Sequence, residues 1–149
     1  MKQIIPNFTR ILSCLLMITF LGTLILIGPV SSAIADDSID AIIDVDPKEF
    51  DLASKGKTAT VYIEFPDTCT YDVGQIDVNT VLLSVNDYVI TAEEKYAIGD
   101  YDKDGIPDLK VKFDRQLLQS HMFMGSEELT VSGTADVANF LGSDTVSVV

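Results

Sequence analysis

Between residues 100 and 108 the chain reads Asp-Tyr-Asp-Lys-Asp-Gly-Ile-Pro-Asp, a crowding of carboxylates at a spacing with one specific chemical use. Side chains at loop positions 1, 3 and 5, here Asp100, Asp102 and Asp104, turn inward when the backbone wraps a cation. Gly105 at position 6 permits the sharp bend that lets Ile106, at position 7, offer its carbonyl. Asp108 at position 9 then binds directly or through a water. Every donor in this set is an oxygen, which suits a hard cation with many ligands. Zinc or copper would call for His and Cys, and this stretch has neither. The metal set is therefore Asp100, Asp102, Asp104, Ile106 and Asp108, with Ca2+ as the ion.

A helical EF-hand loop closes on a bidentate Glu at position 12, where this chain has Val111. The run after the loop, Leu109-Lys110-Val111-Lys112-Phe113, alternates apolar and basic residues with period two, so it is a strand and not a helix. The loop uses EF-hand ligand logic outside the EF-hand fold. The competing reading is a solvated acidic turn between two strands that binds nothing.

Other clusters carry less. His121-Met122-Phe123-Met124 gathers soft ligands for copper, but four adjacent residues cannot face one ion, and Met and Phe beside a strand read more simply as core. His121 is the only histidine, and no nucleophile motif accompanies it, so the chain is not read as an enzyme. Glu93-Glu94 and Glu127-Glu128 are adjacent pairs that would point to opposite faces of a strand, and they read as solvated turns. Asp72, Asp77 and Asp114 are carboxylates whose simplest role is capping or turn formation, although Asp77 would reach the loop if its connection shares that end of the fold. Cys69, in Pro66-Asp67-Thr68-Cys69-Thr70, lies in a polar connection after a strand and is expected near the surface.

The elements that must hold the loop are short, apolar and regularly punctuated. Strands are expected at 41–45, 58–65, 80–85, 88–91, 109–113, 129–133 and 145–149, separated by turn formers such as Asp46-Pro47, Ser54-Lys55-Gly56-Lys57, Pro66-Asp67 and Gly142-Ser143-Asp144. Helical turns are expected at 72–76, with Asp72 as N-cap, and at 115–121. The fold class is all-β, an immunoglobulin-like antiparallel β-sandwich of about seven strands.

Ahead of this domain Lys2 and Arg10 flank a polar start, 11–27 is almost wholly apolar, and Ala33-Ile34-Ala35 offers the small residues a signal peptidase accepts. Residues 1–35 are expected to be a signal peptide and 36–149 the calcium-loop domain. The alternative is a membrane anchor through residues 11–30. Cys14 would leave with the signal, so Cys69 would have no intrachain partner. Removal of Lys2 and Arg10 changes the formal charge from −13 to (10 − 2) − 23 = −15. Nucleic acid and anionic membrane surfaces are poor partners for such a chain.

The succession Ile43-Asp44-Val45-Asp46-Pro47, Ser54-Lys55-Gly56-Lys57, Val61-Tyr62-Ile63-Glu64, Tyr71-Asp72-Val73 and Ile76-Asp77-Val78-Asn79-Thr80-Val81 resembles a module of bacterial and archaeal secreted and cell-surface proteins. The resemblance continues through Ile98-Gly99-Asp100-Tyr101-Asp102 and Lys112-Phe113-Asp114-Arg115 to Gly142-Ser143-Asp144-Thr145. It implies a small β-sandwich accessory module with a calcium-binding acidic loop and no attached activity. The expected protein is thus secreted or displayed on the cell surface and binds calcium. Its role is structural, adhesive or protein-interacting, with another surface protein or an envelope component as partner. The rivals are a small secreted enzyme and a carbohydrate-binding module, for which Tyr62, Tyr71, Tyr88, Tyr96 and Tyr101 leave room in a chain without Trp.

Overall fold

The structure, a computed structural model, describes residues 38–149. The signal segment 1–35, its cleavage point after Ala35 and the alternative anchor over 11–30 lie outside the described residues. Among the described residues no helix is long and apolar enough to cross a membrane.

The expected β-sandwich forms. One sheet holds β1 (Ile39–Asp40), β3 (Glu49–Phe50), β5 (Leu82–Val85), β6 (Tyr88–Thr91), β9 (Gly125–Ala135) and β10 (Ala138–Val148). Its path is β1-β10-β9-β5-β6, with β3 also on β10. The other holds β2 (Ile42–Asp46), β4 (Thr58–Glu64), β7 (Ala97–Gly99) and β8 (Asp108–Asp114), in the order β2-β4-β8-β7. Neighbours are antiparallel except at β10, where β1 and β3 pair parallel at opposite ends of the same edge. Between those ends the chain leaves for the other sheet as β2, so one edge of the sandwich is closed by a strand that changes sheets.

Alternation decides which side chains meet. In β4, Ala59, Val61 and Ile63 are fully buried, and in β8 Leu109, Val111 and Phe113 are. They face Leu83, Leu129, Val131 and Phe140 from the opposite sheet in one core. Phe50, Phe113 and Phe140 are among its largest fully buried side chains, each worth roughly 1.5–3 kcal/mol of burial. The alternate residues of the same strands, Thr58, Thr60, Tyr62 and Glu64 on β4 and Asp108, Lys110, Lys112 and Asp114 on β8, fall on the outer face.

Among the described residues ten strands are found where about seven are expected, because β1, β3 and β7 have only two or three residues each and leave no period to read. Two corrections have physical reasons. Gly142-Ser143-Asp144 is not a turn but the middle of the 11-residue strand β10. Gly142 is there because β2 enters across it: a Cβ would stand 2.2 Å from the Ala41 carbonyl oxygen. Glu127-Glu128, read as a turn, likewise lies within β9. Thr80 ends a 3-10 turn, Val78–Thr80, and the strand begins at Leu82.

The capping carboxylates behave as their spacing predicts. Asp72 caps the 3-10 turn Val73–Gln75 in a capping box with Gln75, and Asp77 caps the next one, accepting from Asn79 N. Asp114 caps α1 (Arg115–Gln119), taking the Gln116 and Leu117 N–H groups. Cys69 is half-buried against the core, and its Sγ accepts from Tyr71 N at 3.4 Å. It is therefore less exposed than a polar connection implies.

Candidate metal centre

The acidic stretch joins β7 to β8, and its own side chains fold it. Asp100 Oδ2 accepts from Gly105 N at 3.1 Å, which ties position 1 to position 6 and closes the loop. Asp102 Oδ1 accepts from Asp104 N at 3.1 Å and Asp104 Oδ1 from Ile106 N at 2.8 Å, successive turns of the kind Asp makes with backbone two residues on. Gly105 has φ +97°, a left-handed setting that a Cβ resists although there is open space around it. Lys103 is also left-handed, at +67°.

This path brings the predicted carboxylates together. Oxygens of Asp100, Asp102 and Asp104 lie within 4.8 Å of one another. Asp108, the first residue of β8, belongs to a second group of the same tightness whose members are Asp102 and Glu64. Asp102 is common to both groups, so five carboxylates form one continuous cluster. Ile106 takes part through its N–H; its half-buried side chain lines a separate cleft with Phe65, Pro66 and Val73.

Glu64 is the residue that local sequence reasoning misses. It lies on β4, and the antiparallel register sets it directly opposite Asp108. Both point to the outer face of their sheet, where a strand normally exposes its polar residues, yet both are only 5% exposed because the loop folds over them. The signal that could have found it is weak: an acidic residue at the outward position that ends an alternating strand. Its meaning depends on a strand pairing 44 residues away in sequence, 108 − 64.

Electrostatics make this pair unusual. Burial, first, and then the Asp104, Asp108 and Asp102 charges raise the Glu64 carboxyl above the ordinary carboxylate range. Asp108 is raised in the same way by burial, with Asp102, Asp104 and Asp100 adding to it, while the hydrogen bond from Tyr101 N at 2.8 Å works in the opposite direction. The loop's backbone donors end on Asp100, Asp102, Asp104 and Asp108, none of them on Glu64. No ion pair of the described residues reaches the cluster, since those present join Lys48 to Asp44 and Asp144.

A cleft of about 280 Å3 opens beside the cluster, lined by Ile42, Asp44, Tyr62, Tyr101 and three of its carboxylates, Glu64, Asp102 and Asp108. Tyr101, loop position 2, turns back over Gly99, where a Cβ would lie 3.3 Å from its ring. Its ring packs on Tyr62 with centroids 5.1 Å apart. The arrangement is an oxygen-only donor set at the end of a sheet, with access from solvent on one side.

Comparison with known proteins adds no assignment. No family model matches the chain, and no curated protein matches it. Among solved structures, the crystal structure of the major subunit of aggregative adherence fimbriae type I from Escherichia coli is similar to 75% of this chain and 93% of its own. The identity is 11% and the TM-score 0.27, a likeness too slight to carry an argument about this protein.

Proposed function

We propose that residues 36–149 are a secreted or cell-surface domain that binds calcium through Asp100, Asp102, Asp104, Asp108, Glu64 and the Ile106 carbonyl, behind an export signal at 1–35. Its role is structural, adhesive or protein-interacting, and it carries no catalysis. The observation that supports this reading is Glu64, a carboxylate only 5% exposed whose oxygens share a 4.8 Å group with those of Asp102 and Asp108. Burying one carboxylate against two others costs free energy that a divalent cation offsets and nothing else among the described residues does. Glu64 also supplies from a neighbouring strand what the loop lacks at position 12, where Val111 faces the core.

An acidic extracellular module of this kind holds calcium at about 0.1–1 mM. A cation that binds the folded loop and not the unfolded chain stabilises the domain by roughly 1.4 kcal/mol at tenfold excess over that constant. The melting temperature should then rise by several degrees. Calorimetric melts of residues 36–149 in chelator, in calcium at about 10 mM and in magnesium test this. Calcium should shift the curve and magnesium should shift it much less, because its tight octahedral shell gives up water reluctantly. Superimposable curves in chelator and calcium would return the stretch to a solvated acidic turn.

A further inference from the structure

A second cleft, of about 250 Å3, lies on the other side of Tyr101 on the same outer sheet face, and its lining is of opposite sign: Lys95, Lys110 and Lys112 with Tyr96, Ala97 and Tyr101. No carboxylate lines it, and none of the three lysines joins an ion pair with a described carboxylate. That is an uneconomical use of cations in a chain with formal charge −13, unless their partner comes from outside. Lys110 Nζ stands 5.5 Å from the Tyr62 ring centroid and 5.1 Å from that of Tyr101, so the ammonium and the two rings form one platform. Tyr96 is 58% exposed and Tyr101 41%, a cost in exposed aromatic surface that a bound partner removes.

We propose that this face binds an acidic polysaccharide, a polymer carrying uronate carboxylates, with the lysines pairing its carboxylates and the rings of Tyr96 and Tyr101 packing against the flat faces of its sugars. The charge density selects this class. Duplex nucleic acid presents a charge about every 1.7 Å and would bring more phosphates against the exposed Glu93 and Glu94 beside the lysines than a uronate polymer, which carries at most one carboxylate per sugar, would bring carboxylates. The rings select against a simple inorganic anion, which has no face to stack. Tyr101 belongs to both clefts and its N–H is held by Asp108, so calcium that orders the loop also fixes the platform. The calcium dependence of binding rests on the function proposed above; the lysine and tyrosine contacts do not.

The test is titration calorimetry of residues 36–149 with a hyaluronan octasaccharide and with trigalacturonate, in calcium and in chelator, with maltoheptaose as the neutral control and hexaglutamate as an acidic peptide. At least one uronate should bind with a constant below about 1 mM, more weakly at high salt. Lys112→Glu and Tyr96→Ala, both at exposed positions, should each weaken it about tenfold while leaving the calcium-induced melting shift unchanged. No saturation by either uronate, equal binding of maltoheptaose, or indifference to both substitutions overturns the proposal. Tighter binding of hexaglutamate overturns it in favour of a protein partner. Failure of the uronates with the calcium melting shift intact leaves the metal reading standing. Lysine-dependent uronate binding without a calcium shift removes the metal reading and leaves this one.

Discussion

Two sheltered acidic sites sit at strand pairings of this sandwich and answer opposite needs. Asp144, in the middle of β10, is surrounded by donors: Val45 N reaches its Oδ2 at 2.7 Å, Thr145 N its Oδ1 at 2.8 Å, and the Lys48 ammonium pairs with it. Glu64 and Asp108, facing one another on β4 and β8, are crowded by other carboxylates, and the one loop N–H that reaches the pair, that of Tyr101, goes to Asp108 alone. At the first site the protein completes the carboxylate's requirements itself, and the result is a clamp that holds β2 where it crosses from one sheet to the other. The same pairing raises the Lys48 ammonium above its ordinary value, its hydrogen bonds to Asp144 and Asp44 overcoming the opposing effect of burial. At the second site the protein gathers charges of one sign, and no cation of the described residues pairs with them.

The largest effect expected from breaking this contrast is at the clamp. Asp144→Ala removes the acceptor of the Val45 N–H, whose residue is fully buried, and strands the donor. Hydrogen bonds to charged groups are worth about 1.5–3 kcal/mol, so the substitution should cost about 2–3 kcal/mol and lower the melting temperature by roughly 10 °C or more. The exposed Lys48 contributes little of that. The loss should be the same in chelator and in calcium; a loss seen only with calcium would mean that Asp144 belongs functionally to the metal cluster. Chemical denaturation under both conditions measures it.

The two sites also differ in how much of each is legible in the chain. The loop announces itself because its carboxylates are neighbours in sequence: positions 1, 3, 5 and 9 and the Gly105 bend are fixed by spacing alone. The class of fold is legible for a similar reason, since β4 and β8 are long enough to show their period. Glu64 and the Asp144 clamp depend on which strands pair and in which register, and nothing near either residue encodes that. Gly142 misleads in an instructive way. A glycine beside Ser and Asp is ordinarily a turn, but here its missing side chain makes room for the carbonyl of Ala41, the residue between β1 and β2. Close approach and tight turning ask for the same residue, and only the tertiary structure tells them apart.

Next in size is the substitution that sharpens the contrast at the acidic cluster. Glu64→Gln keeps the shape and removes one of the crowded charges. In chelator the variant should be no less stable than the parent, because the change relieves repulsion among Glu64, Asp102 and Asp108. In calcium it should lose most of the roughly 1.4 kcal/mol gained at tenfold excess over the binding constant. Val111→Glu, the restoration of position 12, should not rescue it: Val111 is fully buried in the core, so a carboxylate there would be isolated from the loop. Paired melts of the parent, Glu64→Gln and the Glu64→Gln, Val111→Glu double variant, in chelator and in calcium, read these effects. A Glu64→Gln protein that keeps its full calcium shift would place Glu64 outside the site.

The smallest expected effect is the pH dependence, and it has opposite signs with and without metal. The carboxyls of Glu64 and Asp108 are raised in the folded chain, by burial first and by their acidic neighbours second, so the fold holds their protons more tightly than the unfolded chain does. Stability from this source is fully present below the ordinary carboxylate values and is lost as pH rises through the raised ones. In chelator, therefore, the parent should gain stability relative to a Glu64→Gln, Asp108→Asn double variant as pH falls from about 7 towards 5. Calcium needs both groups ionised, so its melting shift should shrink over the same interval as protons compete for the oxygens. Differential scanning calorimetry of parent and double variant across that interval, with and without calcium, separates this contribution from the remaining carboxylates, which the two proteins share. A parent that loses stability relative to the variant on acidification would mean that the folded protein already balances the pair, as donors do around Asp144, and the distinction between the two sites would disappear.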